Sequence, residues 1–213
     1  MNIPTSSEHG VAGLPDHLLG FALMHVAMRR DARRLVTLAP TLPEEALPRV
    51  ADWWRQVREV IDWHHRSEDN VVWPELRRRV PGFAADEKAM AHDHVALDQA
   101  MEAMTGVLAP GGHRPSLLPA ARWFEDLVLE HLRLEEALVF PAFGRIGAPE
   151  YLSIERRVLA RAPFGVLTFL YPWMLDEADP AAAAKVSATV PPPVRLLGST
   201  VLHWRYYHTR RWW

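Results

Sequence analysis

The chain has no cysteine, which excludes disulfides, thiolate nucleophiles and cysteine-ligated zinc or iron–sulfur sites. It lacks any run of 18 apolar residues, so it offers no membrane-spanning helix. Strong charge is missing too: a formal net charge of −2 gives no reason to expect nucleic acid or an acidic membrane as partner. The first residues hold Glu8, His9, Pro15 and Asp16 and no apolar stretch of signal-peptide type, so a cytoplasmic location is expected. Strand-like alternation is absent as well.

What is present is helical periodicity, with nine Trp and 49% hydrophobic residues to build a core. Four blocks keep a three-four spacing. Leu14, Leu18, Phe21, His25, Met28, Ala32 and Leu35 mark the first, and Trp53, Val57, Ile61, His64, Glu68 and Val71 the second. Phe83, Glu87, Met90, His94, Leu97, Met101, Met104 and Leu108 mark the third, and Phe124, Val128, His131, Glu135 and Leu138 the fourth. Pro40 to Pro48, Pro81-Gly82 and the stretch from Pro110 to Pro119 separate them. Thr41-x-x-Glu44 has the form of a capping box. The pattern predicts an all-α, up-down-up-down four-helix bundle over residues 14–146 and a helical extension over residues 149–213 packed upon it.

Two runs repeat one another at an offset of 67 residues: His64-x-x-x-Glu68 closing on Val71-Val72-Trp73-Pro74, and His131-x-x-x-Glu135 closing on Leu138-Val139-Phe140-Pro141. Residues i and i+4 share a helix face, so each run aims an imidazole and a carboxylate at one point. One histidine sits on each apolar stripe: His25, His64, His94 and His131. The midpoints of consecutive pairs in the bundle fall in or beside the three turns, as required if all four share one layer. Four imidazoles and two carboxylates in an apolar core are costly unless satisfied. Two divalent cations would satisfy them, and imidazole plus carboxylate without thiolate suits iron, manganese or zinc.

These residues resemble the hemerythrin superfamily, in its HHE cation-binding branch. His25-Val26-Ala27-Met28-Arg29-Arg30-Asp31 and His94-Val95-Ala96-Leu97-Asp98 carry the likeness through the first and third helices. The resemblance implies a non-haem di-iron centre with His25, His64, His94 and His131 as terminal ligands and Glu68 and Glu135 as bridges. It implies a protein that handles O2 or a related small oxidant such as peroxide. The alternatives are an oxidase acting on an organic substrate held by the extension, and an iron or oxygen sensor or storage module. The chain departs from the oxygen carriers in having Asp98 where they have a second third-helix histidine, and a fourth-helix spacing of His131-x-x-x-Glu135 where they have His-x-x-x-x-Asp.

Other polar residues carry weaker expectations. His65 could join a ligand set with Asp69, but Arg58 and Asp62 on its side of the helix suggest that it flanks the seam. Asp98 is open between a ligand and an acceptor that orients His94, and Glu87 between buried outlier and channel residue. Asp69 and Glu136 are expected to be solvated or to support ligands, His92 to face away from His94, and His17 to lie near the bundle mouth. Arg29-Arg30, Arg33-Arg34 and Arg77-Arg78-Arg79 read as solvated faces. The extension is expected to cover the bundle as a lid or to form a homodimer surface, with its aromatic, basic end docked on the bundle.

Overall fold

The computed structural model describes residues 4–190, 195–196 and 198–209, with the side chains at 89, 91–93, 198 and 199 left aside. Among the described residues the chain is all-helical. Helix α1 is Leu19–Leu38, α2 Leu47–Ser67, α3 Trp73–Arg79, α4 Phe83–Leu108 and α5 Leu117–Ile146. A π-helical turn, Glu68–Val72, joins α2 to α3, so the two form one interrupted rod. The apolar stripes bury as their spacing requires: Leu18, Phe21, Met28, Trp53, Ile61, Leu97, Met101, Phe124 and Val128 all lie in the core. Helix α5 packs against both α1 and α4, and α2 packs against α4.

Proline explains the interruption in the second rod. Pro74 has no N–H for the carbonyl four residues back, and its ring crowds that carbonyl. The wider turn relieves this: the Trp73 N–H bonds to the Glu68 carbonyl, five residues back. Asn70 helps by donating from Nδ2 to the Arg66 carbonyl at 2.7 Å. The expected capping box at Thr41 does not form. Thr41 instead donates its hydroxyl to the carbonyl of Leu38, closing α1, and Pro43 precedes the short turn that leads into α2.

The last third is helical and lies on the bundle. Helix α6 is Ala148–Leu159, α7 Phe164–Leu175, α8 Pro180–Thr189 and α9 His203–Thr209. Gly147, with φ of 77°, makes the break between α5 and α6 in a conformation glycine adopts without strain. Helix α7 rests on both α1 and α2, burying Val166, Phe169, Leu170 and Trp173. Asp31 of α1 fastens it, accepting from Trp173 Nε1 at 2.6 Å. Asp176 follows α7 and accepts from Tyr206 and Tyr207 of α9, each at 3.0 Å. The aromatic end therefore docks on the chain's own helices through Tyr206, while Trp204 stays 63% exposed. Residues 210–213 of that segment lie outside the described residues.

Three of the four arginines in the Arg29-Arg30 and Arg33-Arg34 pairs correct the reading of a solvated face, while Arg33 is exposed as expected. Arg29 is 2% exposed and Arg30 and Arg34 are largely buried, because each meets a carboxylate brought by another helix or loop. The Arg77–Arg79 run behaves as expected, pairing with Glu75 and Glu87 at the surface. That pairing also settles Glu87, which lies 3.1 Å from Arg77 and away from the core polar groups.

Candidate metal centre

Helices α1, α2, α4 and α5 each deliver histidine to the middle of the bundle, and two groups form there. His25, His64, Glu68 and Glu135 make one, and His65, His94 and His131 the other, with candidate ligand atoms within 4.8 Å of one another in each. In the first, His25 Nε2 stands 3.2 Å from His64 Nε2, and His64 Nε2 stands 3.0 Å from Glu68 Oε1. In the second, the His65 and His94 rings stack at 4.3 Å, and both lie within 5.2 Å of the His131 ring. Glu135 spans the two groups, with Oε1 3.8 Å from His25 Nε2 and Oε2 3.3 Å from His131 Nε2.

All six residues expected from the sequence thus come together, and the structure adds a seventh. His65 follows His64 by one residue, about 100° around the helix. One imidazole therefore turns towards His25 of α1 while the next turns towards α4 and α5. The expectation that His65 flanks the seam is not met. Arg58 and Asp62 do remain at the bundle edge, where Arg58 reaches Glu102, but His65 is buried. Among the described residues the cluster gathers five imidazoles, one more than the sequence pattern points to. Asp98 is exposed and belongs to neither group, and Asp69 is exposed 3.8 Å from His94 Nδ1. His17 lies towards the end of the bundle, tilted against Tyr151 of α6. The side chain of His92 lies outside the described residues.

Burial sets the protonation of this cluster. It pushes His64 and His65 well below the ordinary imidazole value, and His94 below it, so their nitrogens keep free lone pairs near neutrality. Glu68 is raised well above the carboxylate range by burial and by the neighbouring Glu135 charge. Burial also opposes charge on Glu135, but His25 and His131 outweigh it and hold that carboxyl well below the range. One carboxylate and one carboxylic acid therefore face each other beside the neutral imidazoles of His64, His65 and His94.

Many of these atoms lack a well-aligned hydrogen bond. Both oxygens of Glu68 and Glu135, both ring nitrogens of His65 and His131, and Nε2 of His94 are buried without one. At about 1–3 kcal/mol each, the unmet set would cost on the order of 10 kcal/mol. That is comparable with the whole stability of an ordinary domain, roughly 5–15 kcal/mol. Imidazole and carboxylate atoms converging without aligned hydrogen bonds are what divalent cations satisfy, and the residues fit such ions.

One ligand candidate is braced from outside. His25 Nδ1 lies 2.9 Å from Glu136 Oε1, leaving Nε2 turned inward to His64. Burial disfavours charge on Glu136, but His25 and Arg29 overcome it and bring its carboxyl down to about 2.

The family model for the hemerythrin HHE cation-binding domain matches residues 21–143. The chain belongs to that family. The matched region contains all seven clustered residues and runs from α1 nearly to the end of α5. Metal-cation binding is the family's property, and the buried histidine–glutamate cluster could hold such ions. No curated protein and no solved structure matches the chain. No described helix is long and apolar enough to cross a membrane.

Proposed function

We propose that this bundle holds two iron ions and handles O2 or a related small oxidant such as peroxide. His25 and His64 would ligate one ion and His65, His94 and His131 the other, with Glu135 bridging and Glu68 completing the set. The observation that carries the reading is Glu135, whose two oxygens face the two histidine groups separately. Two ferrous ions, when bound, supply two reducing electrons to an oxidant. The chain's own residues exclude bulk water, keep His64, His65 and His94 neutral and would hold both carboxylates against the metals. His94 is the member of the set that is only partly buried, so small molecules would enter on the α4 side, beside Asp69.

The cleft between α2, α7 and α9, lined by Gln56, Phe169, Trp204 and Tyr206 among others, contains none of the clustered residues. That cleft gives no support to an organic substrate held by the extension beside the cluster. The unmet polar atoms also support a sensor reading, in which metal supply controls folding stability. Manganese or zinc suits the same donors, and a homodimer through the extension would cover Phe164, which is 81% exposed. Anaerobic reconstitution with ferrous iron, metal analysis and an absorption spectrum before and after O2 test the proposal. Two irons per chain and a spectral change are expected. A stoichiometry near zero would refute it.

A further inference from the structure

Glu136 does more than face His25. Its carboxylate accepts from Arg29 Nη1 at 2.8 Å and Nη2 at 2.9 Å, from the Ser7 backbone N–H at 2.8 Å, from Ser7 Oγ at 2.6 Å and from Ser6 Oγ at 3.1 Å. Arg29 Nη1 also donates to Ser7 Oγ at 3.0 Å. Ser7 is 1% exposed, although it belongs to an irregular segment ahead of α1. Val11 and Leu14 of the same segment are buried with it. One carboxylate on α5 thus holds two things at once: the outer nitrogen of a histidine in the cluster, and the N-terminal segment.

We propose that Glu136 is a positioning residue for His25, and that residues 6–14 form a strap whose attachment and the occupancy of the centre strengthen each other. The inference rests on His25 acting as a metal ligand. An acceptor at Nδ1 fixes the proton there and leaves Nε2 free to give its lone pair inward. Glu136 can serve only while its carboxylate stays in place, and Arg29 and the two serines fix it. A strap that leaves takes three donors from that carboxylate and opens it to water, so His25 loses its fixed acceptor. By reciprocity, an ion that orders His25 orders Glu136 and tightens the strap by the same factor. The arrangement makes the N-terminal segment a reporter of, and a handle on, the metal site.

Three variants test this in the full chain: Glu136→Ala, Glu136→Gln and the double change Ser6→Ala/Ser7→Ala, with circular dichroism to confirm folding. Ferrous or zinc affinity is measured by competition with a chelator. Hydrogen exchange of residues 6–14 is followed with and without metal. Glu136→Ala is expected to weaken metal binding about 10–100-fold, as loss of a ligand's outer partner does. Glu136→Gln, which keeps an oxygen for His25, should recover most of that loss. Ser6→Ala/Ser7→Ala should weaken binding about 5-fold or more, and metal should slow exchange of the wild-type strap by a matching factor. Wild-type affinity in both Glu136→Ala and the serine variant would overturn the inference while leaving the metal reading intact. So would strap exchange that is blind to metal. If the wild-type chain itself binds no metal, the metal reading falls first and this inference with it.

Discussion

The Arg29–Glu136 pair allows a stability test independent of any metal. Arg29 is 2% exposed and Glu136 is fully buried, and their two parallel contacts form a fork on carboxylate. Changing Arg29 to Met keeps much of the side-chain volume but leaves the Glu136 carboxylate without its cation. Breaking a buried pair from one side costs about 3–5 kcal/mol. The depression of the Glu136 carboxyl from 4.5 to about 2 gives a similar scale, roughly 3 kcal/mol net after burial has opposed the stabilisation of its charge by His25 and Arg29. Glu136→Leu should cost a comparable amount, because it strands the guanidinium. The double variant buries neither charge. Its remaining cost is the unmet N–H of His25 and the freed serine donors, about 1–3 kcal/mol for each that stays buried. Urea unfolding of chelator-treated protein near pH 7, followed by tryptophan fluorescence and circular dichroism, measures all four states. The double variant should be no less stable than either single one. A single Arg29→Met cost below about 1 kcal/mol, or a double cost equal to the sum of the two singles, would refute the reasoning.

The bridging role predicts that Glu68→Ala or Glu135→Ala empties or halves the site, read as metal per chain after anaerobic reconstitution. Full occupancy in Glu135→Ala would remove the case for a bridge. His65→Ala should lower metal content or affinity while Asp98→Ala leaves both unchanged, and the opposite pattern would show that the fifth donor is misassigned. The metal-free protein should lose stability as pH falls below about 6.5, the ordinary histidine value. His64, His65 and His94 are lowered in the fold, so the unfolded chain takes up protons there that the folded chain refuses. Glu136 adds to the loss between 4.5 and about 2, whereas the raised Glu68 works the other way and costs stability as pH rises above the carboxylate range. Thermal midpoints from pH 8 to pH 5 check this, and a flat profile would contradict it.

The four-helix architecture was legible because the burial pattern repeats every three to four residues with proline and glycine at the turns. The level of the four histidines was legible from the same symmetry, since equal distances from a turn mean equal heights. His65 was harder, because a stripe model assigns each helix one inward face. Two adjacent residues can both point inward where a helix borders two neighbours, and the His64-His65 doublet was the available signal. Arg29 was misread because its partner lies 107 residues away on α5. Its spacing of four from His25 put it on the inward face, and Glu136 next to Glu135 was the complementary charge. The π-helical turn left only Pro74 as a sign, and proline inside a helix has more than one outcome: Pro141 sits within α5 with no such turn.

The widened turn at Glu68–Val72 also sets how the second rod tolerates changes in length. A π-turn absorbs one residue more than an α-turn would, so the two halves keep their faces although the residue count between them is one off the α repeat. Upstream, the phase aims His64, His65 and Glu68 at the centre. Downstream, it buries Trp73 at 2% and Leu76 at 0% exposure. Removing one residue there, such as the exposed Asn70, would let the turn close to a continuous α-helix with both halves still on their faces, at the cost of setting Pro74 in an uninterrupted ladder. Removing one residue from the regular part of α2, such as the exposed Arg55, has no such outlet and would rotate the two parts of that helix by about 100° against each other. A single-residue deletion should therefore be tolerated far better in the widened turn than in the regular helix before it.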